Sequence, residues 1–492
     1  MDDEIRRFAT TFRTFLDQVV HQVALDGGDG EPLFAALEAH LGTDPRRLPV
    51  VVEPLTVFRY ADADIALETL AQHHGGRRLA GLGGGEQRRH SSFGEIVERA
   101  ATFGRYPLGA VDYIRLPTGP GSSRNVVSFG LHLLRYRDTP VAILQRAVQR
   151  QFGRERPELE VMAGDDTVVS ALLAEVRRLM AEHSVLRGKV IALNPSEFGP
   201  SSEEVTYLPR PEVPADHVIL PDGLLTRIER HLVGMDRHRD VLRAAGQHLK
   251  RGILLFGPPG TGKTHTINHL MSASPGTTVI VLTGRAFRLI QVAAETARAL
   301  APAVVVLEDC DLIAEDRSLS RGPQPLLFEM LDALDGLAAD ADVAFVLTTN
   351  RPDLLEPALA QRPGRVDLAV EIPLPDLEAR RRLNRLYARD LPLSPAALDA
   401  AAEHAEGTTA SFAKELIRRA VLVAAELGST VSDQHLATVL DELLSDSEAL
   451  TRSLLGNNQP GDGGPAGHTA AYPGAGSAGS TEVRRITRRD CD

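Results

Sequence analysis

The residues most able to do chemistry form one run, Gly257-Pro258-Pro259-Gly260-Thr261-Gly262-Lys263-Thr264. It fills the pattern G-x-x-x-x-G-K-[ST] completely. Glycines let backbone N–H groups curl around phosphate oxygens, and the N-terminus of a following helix adds a favourable dipole. Lys263 is expected to reach the β- and γ-phosphates of a nucleoside triphosphate, and the Thr264 hydroxyl to ligate Mg²⁺. His265 follows directly and is taken with the loop as cofactor-binding. A second constellation is Ala303-Val304-Val305-Val306-Leu307-Glu308-Asp309, an apolar run ending in two adjacent carboxylates. One acid would hold the Mg²⁺ hydration shell, so that Thr264, Glu308 and Asp309 form the metal set. The other would orient or deprotonate an attacking water. The plainer alternative is a strand end with two solvated acids, and the position of the run downstream of the phosphate loop favours chemistry.

Such groups need a rigid frame. The run ILLF at 253–256 reads as a strand before the loop, and HTINHLMSA as a helix after it. Further strands are expected over 277–283, 303–308, 343–348 and 366–372, with helical segments between them. That alternation predicts an α/β fold with a doubly wound, parallel, five-stranded sheet. The nucleotide-binding subdomain is set at 215–375 and a helical lid at 376–455. Upstream, residues 1–200 read as a mixed α/β domain for a substrate or partner. Within it, PVVVEPLTVFRY, NVVSFGLHLLRYR and GKVIAL suggest strands, and TVVSALLAEVRRLMAEH a helix. Gly81 to Gly85 read as a flexible loop, and residues 1–25 as an amphipathic helix. A Pro- and Ser-containing stretch near 194–214 marks a linker, set at 201–214. From 456 to 492 the Gly-, Ala-, Pro- and Ser-rich composition predicts a disordered tail.

The motifs GPPGTGKT, VVVLEDCD, FVLTTNRPD and QRPGRVD together resemble the AAA+ superfamily, and most closely its AAA branch. The resemblance covers about residues 215–445. It implies ATP and Mg²⁺ as cofactors and ATP hydrolysis as the activity. It makes Asn350 the polar sensor of the γ-phosphate and attacking water. It makes Arg362 and Arg365 the arginines that project into a neighbouring subunit's site, so the implied partner is the chain itself, in a hexameric ring. The second sensor would fall near Ser411, with Lys414 a phosphate contact or a solvated helix lysine. Two departures stand out. The acidic pair runs Glu308 then Asp309, an order resembling the Bcs1-like branch, which would turn Glu308 to the metal shell and Asp309 to the water. The segment after 277–283 is shorter than in threading unfoldases, and its one aromatic, Phe287, is available either for gripping a chain or for core packing.

Composition narrows the partners. The formal charge is −12, there is no Trp, and aromatics are scarce. These count against a nucleic-acid binder, which needs basic fields and stacking platforms. No stretch approaches the roughly 20 uninterrupted apolar residues of a spanning helix. With only Cys310 and Cys491 and no apolar N-terminal run, a soluble cytoplasmic protein is expected. No H-E-x-x-H occurs, so no fused zinc protease of that kind is expected. The terminal Asp490-Cys491-Asp492 differs from the hydrophobic-Tyr-X tails that dock proteasomal rings. Two functions remain in view. One is an ATP-driven remodeller of proteins or complexes, with its target chosen by the N-terminal domain. The other is a slow-turnover switch or assembly scaffold that threads no polypeptide.

Overall fold

The structure, a computed structural model, describes residues 30–195, 203–311, 341–353 and 366–445, with Phe8, Thr11, Phe12, Thr14 and Phe15 near the N-terminus. Arg362, Arg365, the tail 456–492 and most of the helix read over 1–25 lie outside the described residues.

The N-terminal unit is an antiparallel sheet with helices on both faces. Its strands are β1 (Val50–Pro54), β2 (Arg77–Leu82), β3 (Leu108–Gly109), β4 (Asp112–Gly119), β5 (Ser122–Tyr136), β6 (Thr139–Arg146) and β7 (Glu158–Met162). They pair in the order β1-β7-β6-β5-β2-β3, and β4 also pairs with β5. Helices α1 (Leu33–Leu41) and α3 (Phe93–Phe103) cover one face. There Leu37 and Ile96 meet Phe129 and Leu131 of β5. Helices α2 (Tyr60–His73) and α4 (Asp166–Glu182) cover the other, where Leu67 and Leu172 meet Val126 and Leu134. A strand covered on both sides reads as a nearly continuous apolar run, which is what β5 shows. The stretch VFRY, expected to extend a strand, is instead a 3₁₀ turn (Val57–Arg59) leading into α2. Tertiary packing overrides its strand propensity, because Phe58 is buried in the second sheet's core and Tyr60 donates to the Val127 carbonyl at 2.7 Å. Gly81, read as loop, belongs to β2. A Cβ there would lie 1.6 Å from the Ala110 carbonyl oxygen, so only glycine permits the approach.

The second unit contains a sheet of seven strands rather than five. Its members are β8 (Val190–Pro195), β9 (Glu203–Leu208), β10 (Arg251–Phe256), β11 (Thr278–Thr283), β12 (Ala303–Glu308), β13 (Val343–Thr349) and β14 (Leu368–Glu371). The order is β14-β10-β13-β12-β11-β8-β9. All pairings are parallel except β8 with β9, which is antiparallel. The two extra strands come from segments read as the end of the N-terminal domain and as linker. The turn residues of 195–203 announce a break, but the alternating EVTYL beyond them pairs back on β8 as a hairpin. A domain boundary at 200 therefore cuts through this hairpin.

The two units are joined directly. Asp62 on α2 accepts from the Ser184 hydroxyl at 2.7 Å and from the Val185 N–H at 2.8 Å, just after α4. Phe58 shares a buried cluster with Leu186, Ile191 and Ile280. After β9, the Arg210 guanidinium donates to four main-chain carbonyls, those of Met271, Ser274, Gly188 and Thr277. It thus ties the hairpin to the C-terminal end of the helix that follows the phosphate loop.

The segment LLTRIERHLVGMDRHRDVLRAAG is helical with one interruption, at His238. Helix α5 (Leu224–Glu229) passes into a π-helical turn (Arg230–Gly234), and α6 (Arg239–Ala244) follows after His238. Four helices complete the described chain: α9 (Leu377–Ala388), α10 (Pro395–His404), α11 (Ala410–Glu426) and α12 (Asp433–Leu444), with α7 and α8 placed below. They bury Leu398, Phe412, Leu416 and Val439 against one another. Side-chain caps at Asp376, Ser394 and Thr409 open the first three.

Candidate active site

The site lies at the C-terminal ends of β10, β12 and β13. Phe256 ends β10, and the loop 257–262 leads into α7 (Lys263–Ser272). Gly260 and Gly262 take φ of 77° and 109°, open to glycine at no steric cost. Gly257 is required for a different reason. A Cβ there would stand 2.3 Å from the Ile372 carbonyl oxygen, so a side chain would push the loop off the end of β14. The first N–H groups of α7 have no acceptor within the helix, and a helix N-terminus in this setting favours an anion. Lys263 is buried, and its Nζ donates to the carbonyls of Gly257 and Pro258 at 2.8 Å each. Burial pushes its pKa down to about 8, and the nearby carboxylates of Asp309 and Asp311 oppose that fall.

Glu308 ends β12. Burial raises its carboxyl pKa, while a hydrogen bond from the Thr264 side chain lowers it. The two groups read as metal ligands therefore touch. Asp309 is exposed and sits in a left-handed conformation, φ 55°. Its N–H donates to Thr348 Oγ1 at 2.9 Å, and the next N–H, of Cys310, donates to the Thr348 carbonyl at 2.8 Å. Asn350 follows β13 directly. Asp311, buried two residues past the acidic pair, accepts from Thr349 Oγ1 at 3.1 Å. It also accepts from the Asn350 N–H at 3.2 Å and from Asn350 Nδ2 at 3.5 Å.

The fold thus brings together Lys263, Thr264, Glu308, Asp309 and Asn350. His265 turns elsewhere: its Nε2 donates to the His217 carbonyl at 3.1 Å, and burial lowers its pKa. Pro258 and Thr261 serve the loop itself, with Thr261 Oγ1 donating to the Pro258 carbonyl at 2.9 Å. Ser411 at the start of α11 donates its N–H to the Gly260 carbonyl at 3.1 Å, which docks the C-terminal helices on the loop. A cavity of about 260 Å³ opens beside Thr261, bounded also by Leu220, Pro375, Asp376 and Ala410. Phe287 is buried in the core between β11 and α8 (Ile290–Ala299), which leaves packing, not gripping, as its role here. Asp311, Thr348 and Arg210 are the structural partners that sequence reading missed. The third acid of VVVLEDCD and the Thr-Thr before Asn350 were the available signals for the first two. Nothing in the pattern around Arg210 marks it.

A strand, a glycine-rich loop and a lysine-bearing helix, with an acidic pair on a neighbouring parallel strand, define a P-loop nucleoside triphosphatase. Residues 253–374 match the family model "ATPase family associated with various cellular activities (AAA)". These residues form an AAA-type ATPase domain. The chain is 26% identical over 279 residues to a proteasome-activating nucleotidase of Thermococcus onnurineus, covering 54% of this chain and 70% of that one. It is 33% identical over 270 residues to the ATP-dependent zinc metalloprotease FtsH 3 of Sphaerobacter thermophilus, covering 51% of this chain and 54% of the relative. It is 34% identical over 172 residues to a 26S proteasome regulatory subunit 8 homolog of Schizosaccharomyces pombe, covering 32% and 42%. Among the described residues no helix is long and apolar enough to cross a membrane.

Proposed function

We propose that the chain binds ATP with Mg²⁺, hydrolyses it in a ring of identical subunits, hexameric as the family resemblance implies, and uses the cycle to remodel proteins recognised by its N-terminal unit. The observation that carries this reading is the meeting of Lys263, the Thr264–Glu308 pair, Asp309 and Asn350 at the ends of three adjacent strands. The loop fits a triphosphate, with two glycines in left-handed backbone and a buried lysine at its centre. The cavity beside Thr261 suits the base. Mg²⁺, held by Thr264 with Glu308 behind its water shell, would supply charge neutralisation at the β- and γ-oxygens.

In this reading the chain's own groups divide the work. Loop N–H groups and the Lys263 ammonium bind the phosphate oxygens and hold them in line. Asp309, exposed at the strand end, takes the proton of the attacking water. Asn350 holds that water and the γ-phosphate in register. Arg362 and Arg365 supply charge from the neighbouring subunit. Residues 215–375 and 376–455 act as core and lid, closing on the nucleotide through Ser411. The acidity of the chain fits work on protein targets rather than on nucleic acid.

A second reading, a slow nucleotide-controlled switch or scaffold, is favoured by Phe287, whose burial leaves this short segment without an aromatic to grip a chain. The test is ATPase rate against protein concentration for the wild type, Lys263→Ala and Arg365→Ala. A specific activity that rises with concentration, with both variants inactive, supports a hydrolysing ring. Tight ATP binding with negligible turnover at every concentration rejects it in favour of the switch.

A further inference from the structure

We infer that Asp311 is a positioning residue for hydrolysis, whose carboxylate sets the orientation of the Asn350 amide in the phosphate cleft. The inference rests on the site reading above and adds a residue to it.

An ionised carboxylate only accepts hydrogen bonds. Asp311 meets Asn350 twice, at its main-chain N–H and at Nδ2. The amide must therefore turn its NH₂ edge to Asp311, which settles the two-fold choice that an asparagine side chain otherwise has. The carbonyl edge and the remaining N–H are left for water and phosphate. Thr349 Oγ1 donates to the same carboxylate, so Asp311 cannot swing away without stranding a buried hydroxyl.

A purely structural duty explains less. Strands β12 and β13 already pair in register from Ala303 with Val343 to Leu307 with Leu347. Their ends are tied again by Asp309 and Cys310 to Thr348. A third tie between the same strands is superfluous for the sheet, whereas among the described residues Asp311 is the group hydrogen-bonded to the Asn350 side chain.

The test is a double-mutant cycle in the full chain, with steady-state ATPase for kcat and binding of a fluorescent ATP analogue for Kd. The variants are Asp311→Asn, Asn350→Ala and the pair, with Thr349→Val as a control that removes the other side-chain donor. Asp311→Asn is close in shape and offers an NH₂ where an acceptor is needed. It is expected to lower kcat by about tenfold or more while Kd stays within roughly threefold, since the group acts on water and leaving phosphate rather than on binding. The double variant is expected to be no slower than the slower single, and Thr349→Val, which loosens Asp311 without removing it, to lower kcat by less than Asp311→Asn does. A wild-type kcat in Asp311→Asn, multiplied losses in the double variant, or a parallel loss of binding and turnover overturns the inference. A wild type without Lys263-dependent turnover overturns the hydrolytic reading along with it. Turnover in the wild type that Asp311→Asn leaves unchanged overturns this inference alone.

Discussion

The main-chain N–H of Asp309 is fixed at 2.9 Å on the Thr348 hydroxyl of the adjacent strand, and Asp309 itself holds a left-handed backbone. Asp and Asn enter that region several times more readily than other side chains, because their short polar groups bond locally. A longer acid at this position would carry the usual steric cost of left-handed backbone. The shorter acid in second place, with Glu308 before it, therefore suits the local geometry.

Asp309→Asn keeps the backbone preference and removes the proposed base. Turnover is expected to fall by about 10²–10⁴-fold, the usual worth of general base catalysis, with ATP affinity little changed. Single-turnover assays at saturating ATP would show it; hydrolysis at the wild-type rate would strip Asp309 of the role.

Thr348→Val strands the Asp309 N–H next to a methyl group. A loss of about 1–3 kcal/mol in unfolding free energy is expected from the unsatisfied donor, measured by urea denaturation. A variant as stable as the wild type would mean that water replaces the hydroxyl.

Lys263 predicts a pH dependence of ATP binding. Its pKa is pushed down to about 8 by burial. Below that value the ammonium is intact and attracts phosphate; above it the charge is lost. Affinity for ATP is therefore expected to weaken as pH rises from about 7 to about 9, with the bound phosphate drawing the midpoint upward. Lys263→Ala is expected to bind weakly and to lack this slope. Calorimetric titrations across the range decide it, and a slope that survives the substitution would assign the effect to another group.

Arg210 reaches four carbonyls with one guanidinium. Arg210→Ala is expected to cost about 2–4 kcal/mol, given charged hydrogen bonds of about 1.5–3 kcal/mol each and partial replacement by water. Arg210→Lys keeps the charge without the fork and is expected to recover only part of the loss. Equal midpoints for the two variants in denaturant would reject the geometric account.

A chain beginning at Ser201 retains β9 but loses β8, its pairing partner. It is expected to aggregate, since the exposed side of β11 and an orphaned β9 both present unpaired backbone. A chain beginning at His183 keeps the hairpin and is expected to be the more soluble. Size-exclusion profiles of the two would separate the outcomes.

The nucleotide site was legible because its signals are local. A complete eight-residue motif, an apolar run ending in two acids and an asparagine after a strand can each be read within one window. Asp311 was not, because its partner is 39 residues away and only the pairing of β12 with β13 brings them together. The N-terminal unit was readable as strands and helices but not as a fold. A sheet covered on both faces loses the polar–apolar alternation that would reveal which side of β5 meets which helix. VFRY and EVTYL show the opposite errors. The first is strand-prone but turned helical by what Phe58 and Tyr60 pack against, and the second is a strand hidden behind turn residues.

Ser184 and Val185, bonded to Asp62, lie only a few residues before β8, which is already a member of the nucleotide-binding sheet. The join is short and hydrogen-bonded. A wheel keyed to its shaft passes on every degree of rotation, while one on a loose coupling wastes the first part of each turn. Rotation of the nucleotide-binding sheet within a ring would swing the N-terminal sheet through the same arc. The stroke felt by a captured target would then scale with its distance from β8, as on a lever, and shortening that arm would trade reach for force.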